Sequence, residues 1–503
     1  MPAARVRIAT LAVALATSVF GACAPHTAHA VAAPVAVRPP IDVPTNDSIV
    51  ARLVNEGLRH SHVAADIEYL LDVIGPRLTG SVGMDSASTW ARRKFLEYHL
   101  DRAELEPWKF GVGWTRGPIT VRMLEPQGRE MIGASWGWSP GTRGAVAGKV
   151  VLMDARTSDE FEHRFAGKLR GAWVLVGAAS AVLNPADSSP AAIAARDSVA
   201  RANAPTTQDE REFALYRYGY VAAEHIAGIL HDGGKPYNLL SMSGSPGFVS
   251  PVPQIVIGHD DYAQLERLAR RGTPAQIEAD ISNSFTRDTL VAHNTVAELR
   301  GSEKPGELVI LGAHLDSWDL ATGGTDNGAG AIAVLEAARI LAASGARPKR
   351  TVRFVLFSGE EEGLYGSQAY AAAHAKDLDS VQALLVLDNG TGRITALPLQ
   401  GRDELRGMWE SMMQPLDAVP EIGAIAVRSG IKTGTDHLSF TPFGVPAFNY
   451  DQLSRGYDFT HHSQIDDEDH VIPADIAQAA TVMAVNAWQL ANMDALLPRG
   501  RKQ

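Results

Sequence analysis

The feature that most limits the folds open to this chain is an alternation in its C-terminal half. From about residue 290, short apolar runs of strand length take turns with helical patterns. Leu308–Ala313, Thr351–Phe357, Ala383–Leu387 and Pro446–Tyr450 read as strands. Ala329–Ala343 reads as an amphipathic helix, about Leu364 to Ala375 as another, and a last long helix begins near Pro473, a favourable first-turn proline. Such alternation predicts an α/β domain with a mainly parallel sheet flanked by helices on both faces. Upstream, the pattern turns helical from Asp47, with Ile49, Leu53 and Leu58, then Ile67, Leu70, Leu71 and Ile74, at helix-like spacing. A Gly-Pro-Arg-Leu-Thr-Gly-Ser loop from Gly75 separates this from a helix at roughly Met84 to Leu100 and a strand near Leu105 to Phe110. Between about 115 and 285 the texture changes to short β runs broken by Gly and Pro, with a partly helical insert at 180–212 rich in Ala, Ser, Pro, Asp and Arg.

Ligands of open α/β sheets collect beyond the carboxyl ends of the strands. Each C-terminal strand ends on residues suited to holding a metal. His314 and Asp316 follow the first, Glu360, Glu361 and Glu362 the second, and Asp388 the third; the loop after the fourth carries His461, His462 and Asp466. Asp326 lies among glycines between the first strand and its helix. Taken singly, an Asp at a strand end is more often a helix cap and a lone His is solvated. Five such residues at one edge of one sheet call for another explanation. The chain has one cysteine in 503 residues, which excludes intramolecular disulfides, Cys₄ zinc sites and iron–sulfur clusters. Any metal must be held by His, Asp and Glu. Two closely spaced zinc ions need five such side chains if one carboxylate bridges them, and a further carboxylate to take a proton from water. Adjacent Glu360 and Glu361 can divide those tasks.

The pieces HLDSWD, TDNGAG, the EE-x-GL-x-GS run, LDNG and the final HS-x-x-D resemble the co-catalytic di-zinc aminopeptidase family, which also includes carboxypeptidase Q and glutamate carboxypeptidase. The resemblance covers roughly residues 60–110 and 290–495. It implies a zinc-dependent exopeptidase fold and two Zn²⁺ per chain. His314, Asp326 and Asp388 would hold one ion, and Asp326, Glu361 and His462 the other, with Asp326 as the bridge. Glu360 would be the general base and acid. Asp316 would accept a proton from the His314 ring and fix its tautomer. The family's spacing selects His462 over His461 as ligand, because Asp466 follows four residues later. His461 would face the substrate or stabilise an oxyanion; as an ordinary residue it would be packed in its loop. Glu362 would sense a substrate ammonium or be solvated; Asp436-His437, in GTDHLSF, resembles a segment of the family and equally fits an N-cap and a core histidine. The twelve-residue step from His314 to Asp326, the Ser-Trp-Asp tripeptide and the His461-His462-Ser463 run are most similar to the carboxypeptidase Q branch, whose activity is removal of N-terminal residues, mainly from dipeptides. The family also implies a peptide substrate and a homodimer, and residues 115–285 resemble its protease-associated insertion. The catalytic domain would then comprise 47–114 and 286–497.

The first thirty residues read as a secretory signal. Arg5 and Arg7 precede an apolar run from Ile8 to Phe20, and no acidic residue falls within 1–30. Ala28-His29-Ala30 is a signal-peptidase site, whereas Phe20-Gly21-Ala22-Cys23 resembles a lipoprotein box, with the signal ending at 22 and membrane attachment through lipidated Cys23. Either predicts export, as a periplasmic, outer-membrane or secreted protein. Residues 31–46, rich in Pro and Ala, read as a flexible tether. A formal net charge of −11 argues against nucleic acid as a partner.

Several rival readings have a specific sequence feature behind them. Gly133-Ala134-Ser135-Trp136-Gly137 matches a serine-hydrolase motif, but Pro140, Gly141 and Gly144 make the required helix improbable. Gly323–Gly330 lacks the lysine of a phosphate loop, and no HExxH pattern is present. A carboxypeptidase, a one-zinc glutaminyl cyclase or a metal-free binding module on the same fold are the alternatives. A carboxypeptidase needs a cation for the substrate carboxylate, and Arg77, Lys432 and Arg455 are the candidates.

Overall fold

The computed structural model describes residues 39–182, 189–345 and 347–500. The signal segment, Cys23 and the first part of the tether lie outside them. The sequence-predicted tether ends earlier than 46: Ile41 and Val43 are buried in the main core, and the Ile41 amide donates to the Asn55 side chain at 2.6 Å.

Six strands form the main sheet: β1 (Arg102–Thr115), β2 (Ser284–Leu299), β3 (Lys304–His314), β4 (Arg350–Phe357), β5 (Val381–Val386) and β6 (Ala447–Asn449). Their order is β1-β2-β4-β3-β5-β6. The pairings of β4, β3, β5 and β6 are parallel, and β1 and β2 extend one edge antiparallel. Side chains alternate across it as a strand's period of two requires. Val309, Leu311 and Ala313 of β3 enter one core, while Leu308 and Ile310 enter the core on the opposite face.

The first core lies beneath helices α1 (Ser48–Arg59), α2 (Val82–Glu97), α3 (Ala329–Ala343) and, far along the chain, α6 (Pro473–Ala491). Asp47 caps α1 by accepting from the amides of Ile49 and Val50, and takes a further bond from the Trp488 indole at 2.9 Å. α3 differs from its sequence reading as amphipathic, since every residue from Ala329 to Leu341 is buried. Its two charged residues pair internally, Arg339 with Glu336 at 2.7 Å and with Glu56 of α1 at 2.5 Å. The second core is covered by α4 (Tyr365–Ala373) and the segment around Phe440.

Between β1 and β2 the chain builds a second sheet of eight short strands, from Ile119–Glu125 through Gln276–Ile281, over cores of its own. The helical insert is longer than expected, with helices at Pro190–Asn203 and Gln208–Ala223. The inserted unit meets the main domain through a cluster holding Phe110, Trp114, Trp138, Leu240, Met242 and Trp318. Arg116 forks onto the Asp319 carboxylate at 2.5 and 3.1 Å. Two residues of the Ser-Trp-Asp tripeptide thus serve this junction. Ser135 lies fully buried at the end of a three-residue strand, Gly133–Ser135, with no helix after it, which removes the serine-hydrolase reading.

Candidate metal centre

The carboxyl ends of the four parallel strands converge on one cluster. His314 is the last residue of β3, Glu360 and Glu361 follow β4, and Asp388 follows β5. His461 and His462 come after a one-turn helix, α5 (Tyr457–Thr460), beyond β6. Asp326 enters from the loop that precedes α3.

Asp326 lies between two groups of donors. Its Oδ1 is 3.5 Å from His314 Nε2, which is also 3.4 Å from Asp388 Oδ1. Its Oδ2 is 3.4 Å from His462 Nε2, which lies 2.9 Å from Glu361 Oε2. One carboxylate thus presents an oxygen to each half of the site. His461 Nε2 approaches the same Oδ2 at 3.6 Å, but only the ring of His462 also meets Glu361. The His461 ring stacks on His462 at 3.8 Å and its side chain is 43% exposed, so it faces the cleft and is not packed within its loop.

The surroundings fix these donors. Asp466 accepts from the amides of Thr325 at 2.7 Å and Asp326 at 3.0 Å, which anchors the Asp326 loop. Arg77 is completely buried and donates to the carbonyls of Leu315, Thr322 and Gly323 at 2.7, 2.5 and 2.7 Å. That makes Arg77 a strut beneath the cluster, not a reader of substrate carboxylates. Arg455 is bound to Asp475 at 2.9 Å, and Lys432 to Asp451 at 2.7 Å and Asn389 at 2.8 Å.

His314 Nδ1 lies 3.0 Å from the main-chain carbonyl of Asp316 and 3.6 Å from its carboxylate. The expected tautomer-fixing role therefore belongs to the carbonyl of that residue. Its carboxylate instead accepts the Glu361 amide at 3.2 Å. On the other side, His462 Nδ1 lies 2.9 Å from the carbonyl of Met242, which belongs to the inserted unit. Each imidazole thereby turns Nε2 toward the cluster.

The electrostatics favour a cation. Burial opposes protonation of His314, yet Asp388 and Glu360 outweigh it and hold the imidazole well above its usual value. Burial pushes Glu360 and Glu361 well above the carboxylate range, with Asp388 and Asp326 respectively adding to the effect. Among the described residues, His314 Nε2, Asp326 Oδ2 and Glu361 Oε1 are buried without a hydrogen-bond partner. Each such group costs about 1–3 kcal/mol unless something else meets it. Imidazole and carboxylate donors in this arrangement fit zinc.

The cluster forms the floor of a cleft of about 770 Å³. Trp136 and Phe248 of the inserted unit line it, as does the half-buried Tyr457, whose hydroxyl faces Asp326. Glu362 is 4% exposed and both its carboxylate oxygens are buried, so it is not the solvated side chain that was one of its two readings. Asp436 and His437 are fully buried; burial raises the former to about 7 and lowers the latter to about 4.

Parallel strands that deliver His, Asp and Glu to one edge define the class: an α/β metallohydrolase. Residues 294–487 match the model of peptidase family M28. Carboxypeptidase Q of Mus musculus is 30% identical over 440 residues, covering 86% of each chain. The solved peptidase M28 precursor from Shewanella amazonensis SB2B superposes with a TM-score of 0.73 at 25% identity, over 90% of this chain and 98% of that one. BSAP, a zinc aminopeptidase from Bacillus subtilis, shares the fold, with a TM-score of 0.61 at 17% identity over 86% of this chain and 95% of its own. The chain belongs to peptidase family M28 and is a zinc peptidase.

Proposed function

We propose that this protein removes residues from the free amino end of short peptides, acting as an aminopeptidase or dipeptidase with two zinc ions. His314, Asp326 and Asp388 hold one ion; Asp326, Glu361 and His462 hold the other. When bound, the ions polarise the scissile carbonyl and acidify the attacking water. Glu360 takes the proton of that water and returns it to the leaving amine, a task suited to a carboxyl that burial has pushed upward. His461, exposed beside His462, faces the substrate.

The observation that carries the reading is the sign of the cleft. Its lining includes five carboxylates (Asp326, Glu360, Glu361, Glu362 and Asp388) and neither Lys nor Arg. A lining of carboxyl groups without a basic side chain offers acceptors to an α-ammonium and no partner to a terminal carboxylate. Arg77 and Arg455 are engaged outside the cleft lining, and the Lys432 ammonium is held by Asp451 and by Asn389 of the cleft wall. We also read residues 115–285 as a protease-associated insertion and residues 1–30 as an export signal. Mass analysis of the mature N-terminus separates cleavage after Ala30 from a lipid-bearing Cys23.

The test uses zinc-loaded protein with matched di- and tripeptides that are free, N-acetylated or C-amidated, and mass spectrometry of the products. N-acetylation is expected to abolish cleavage and amidation to spare it. The opposite result would make the enzyme a carboxypeptidase. Absence of all cleavage would favour a cyclase or a binding module.

A further inference from the structure

One buried side chain of the inserted unit reaches the turn that carries His461 and His462, without a part in the chemistry described so far. Lys235 follows the strand Gly228–Asp232 and is 9% exposed. Its ammonium donates to three main-chain carbonyls: His461 at 2.5 Å, Asp458 at 3.0 Å and Phe459 at 3.3 Å. Three acceptors satisfy its three protons, and no carboxylate pairs with it among the described residues. These carbonyls lie along and just past α5, the turn that launches His461 and His462. A cation at that end of a helical turn meets otherwise unsatisfied acceptors.

The bonds continue along both chains. The Met242 amide donates to the His462 carbonyl at 2.9 Å, and the Met242 carbonyl lies 2.9 Å from His462 Nδ1. The Leu240 amide donates to the Gln464 side chain at 2.8 Å, which donates back to the Asn238 carbonyl at 3.3 Å. Residues 235–242 of the inserted unit are thus stitched to 458–464, and His462 is held at φ 59°, a conformation that non-glycine residues seldom adopt. The other ligands need none of this. His314, Asp326, Glu361 and Asp388 are positioned by the main domain through β3, β4, β5 and the Asp466 anchor.

We propose that Lys235 is a positioning residue for the metal centre, through which the inserted unit fixes His462 and so completes the zinc position shared by Asp326, Glu361 and His462. The inference rests on the ligand assignment given under the proposed function. It makes the insertion a structural component of one of the two metal positions, in addition to a wall of the cleft.

The experiment compares full-length wild type with Lys235→Met and Gln464→Leu, the latter cutting a neighbouring stitch while leaving the buried ammonium in place. Hydrogen–deuterium exchange over residues 457–464 is measured in zinc-free protein, and zinc is titrated against a chelating dye. Faster exchange in that segment is expected in both variants. One zinc should weaken by about 10–100-fold while the other keeps wild-type affinity. With zinc limiting, kcat should fall more than KM changes. Unchanged exchange and unchanged zinc affinities overturn the proposal. So does equal weakening of both positions with a matching loss of thermal stability, which marks Lys235 as a general structural residue. If wild type takes a single zinc while exchange still rises in the variants, the ligand assignment falls and the clamp on the loop stands.

Discussion

At the scale of single residues, the separation of roles within the cluster gives two predictions. Glu360→Gln keeps every proposed metal donor and removes the proton acceptor, so turnover should fall by about 10²–10⁴-fold with zinc content unchanged, read by steady-state kinetics beside elemental analysis. Asp326→Ala removes the carboxylate that faces both halves of the site and should lose zinc from both positions. The residues with these roles were legible in the sequence because each follows a strand whose apolar run is unmistakable, and parallel strands send their carboxyl ends to one edge. What was not legible lay in distances across the chain. The carbonyl of Asp316, not its carboxylate, meets His314, and a main-chain atom leaves no mark on residue type. Arg77 reads as a candidate for the substrate carboxylate, but it is buried because the carbonyls of Leu315, Thr322 and Gly323 converge on it from nearly 250 positions away. Tyr457 gives no signal beyond its place five residues before His462.

Helix α3 illustrates the limits of periodicity. Glu336 and Arg339 sit three residues apart and suggest a polar face toward water. They instead satisfy one another and Glu56 inside the core, while α1, α6 and the sheet cover the remaining surface. A helix buried on all sides has no face on which a lost side chain is replaced by water. Leu335→Ala, at a position 1% exposed, should therefore cost about 2–5 kcal/mol, measured by urea unfolding, although it lies outside the cleft. The four parallel strands were recovered within a few residues because their apolar runs are compact, whereas β2, sixteen residues long and polar over its first half, was not read as a strand. The many short strands of the insertion were visible individually, but their order was not, since runs of four or five residues carry no information about their neighbours.

For the whole molecule, stability should depend on metal and on pH. Bound zinc favours the folded state by mass action, and free zinc at 100 times its dissociation constant contributes about 2.7 kcal/mol, so a strong chelator should lower the melting temperature of loaded protein. Two histidines, His437 in the core and the half-buried His231, set a pH window. Burial lowers both His231 and His437 from 6.5 to about 4. Between those values the unfolded chain binds protons that the folded chain refuses. The stability they support is present above about pH 6.5 and is lost as pH falls toward 4. Urea midpoints should drop across that interval, and His231→Gln should flatten part of the slope.

The two long antiparallel strands, β1 and β2, carry a further consequence. Thr115 at the end of β1 pairs with Ser284 at the start of β2, so the chain leaves for the inserted unit and returns from it at the same point. Architecturally, some 170 residues hang from the tip of one hairpin, and a short turn would close the gap without disturbing the sheet. A miniaturised enzyme made by that excision would keep the strands that present His314, Glu360, Glu361 and Asp388, but it would lose the carbonyl of Met242 and the ammonium of Lys235. Any attempt to trim this scaffold, or to graft another module onto the hairpin, must supply a new acceptor for the His462 ring.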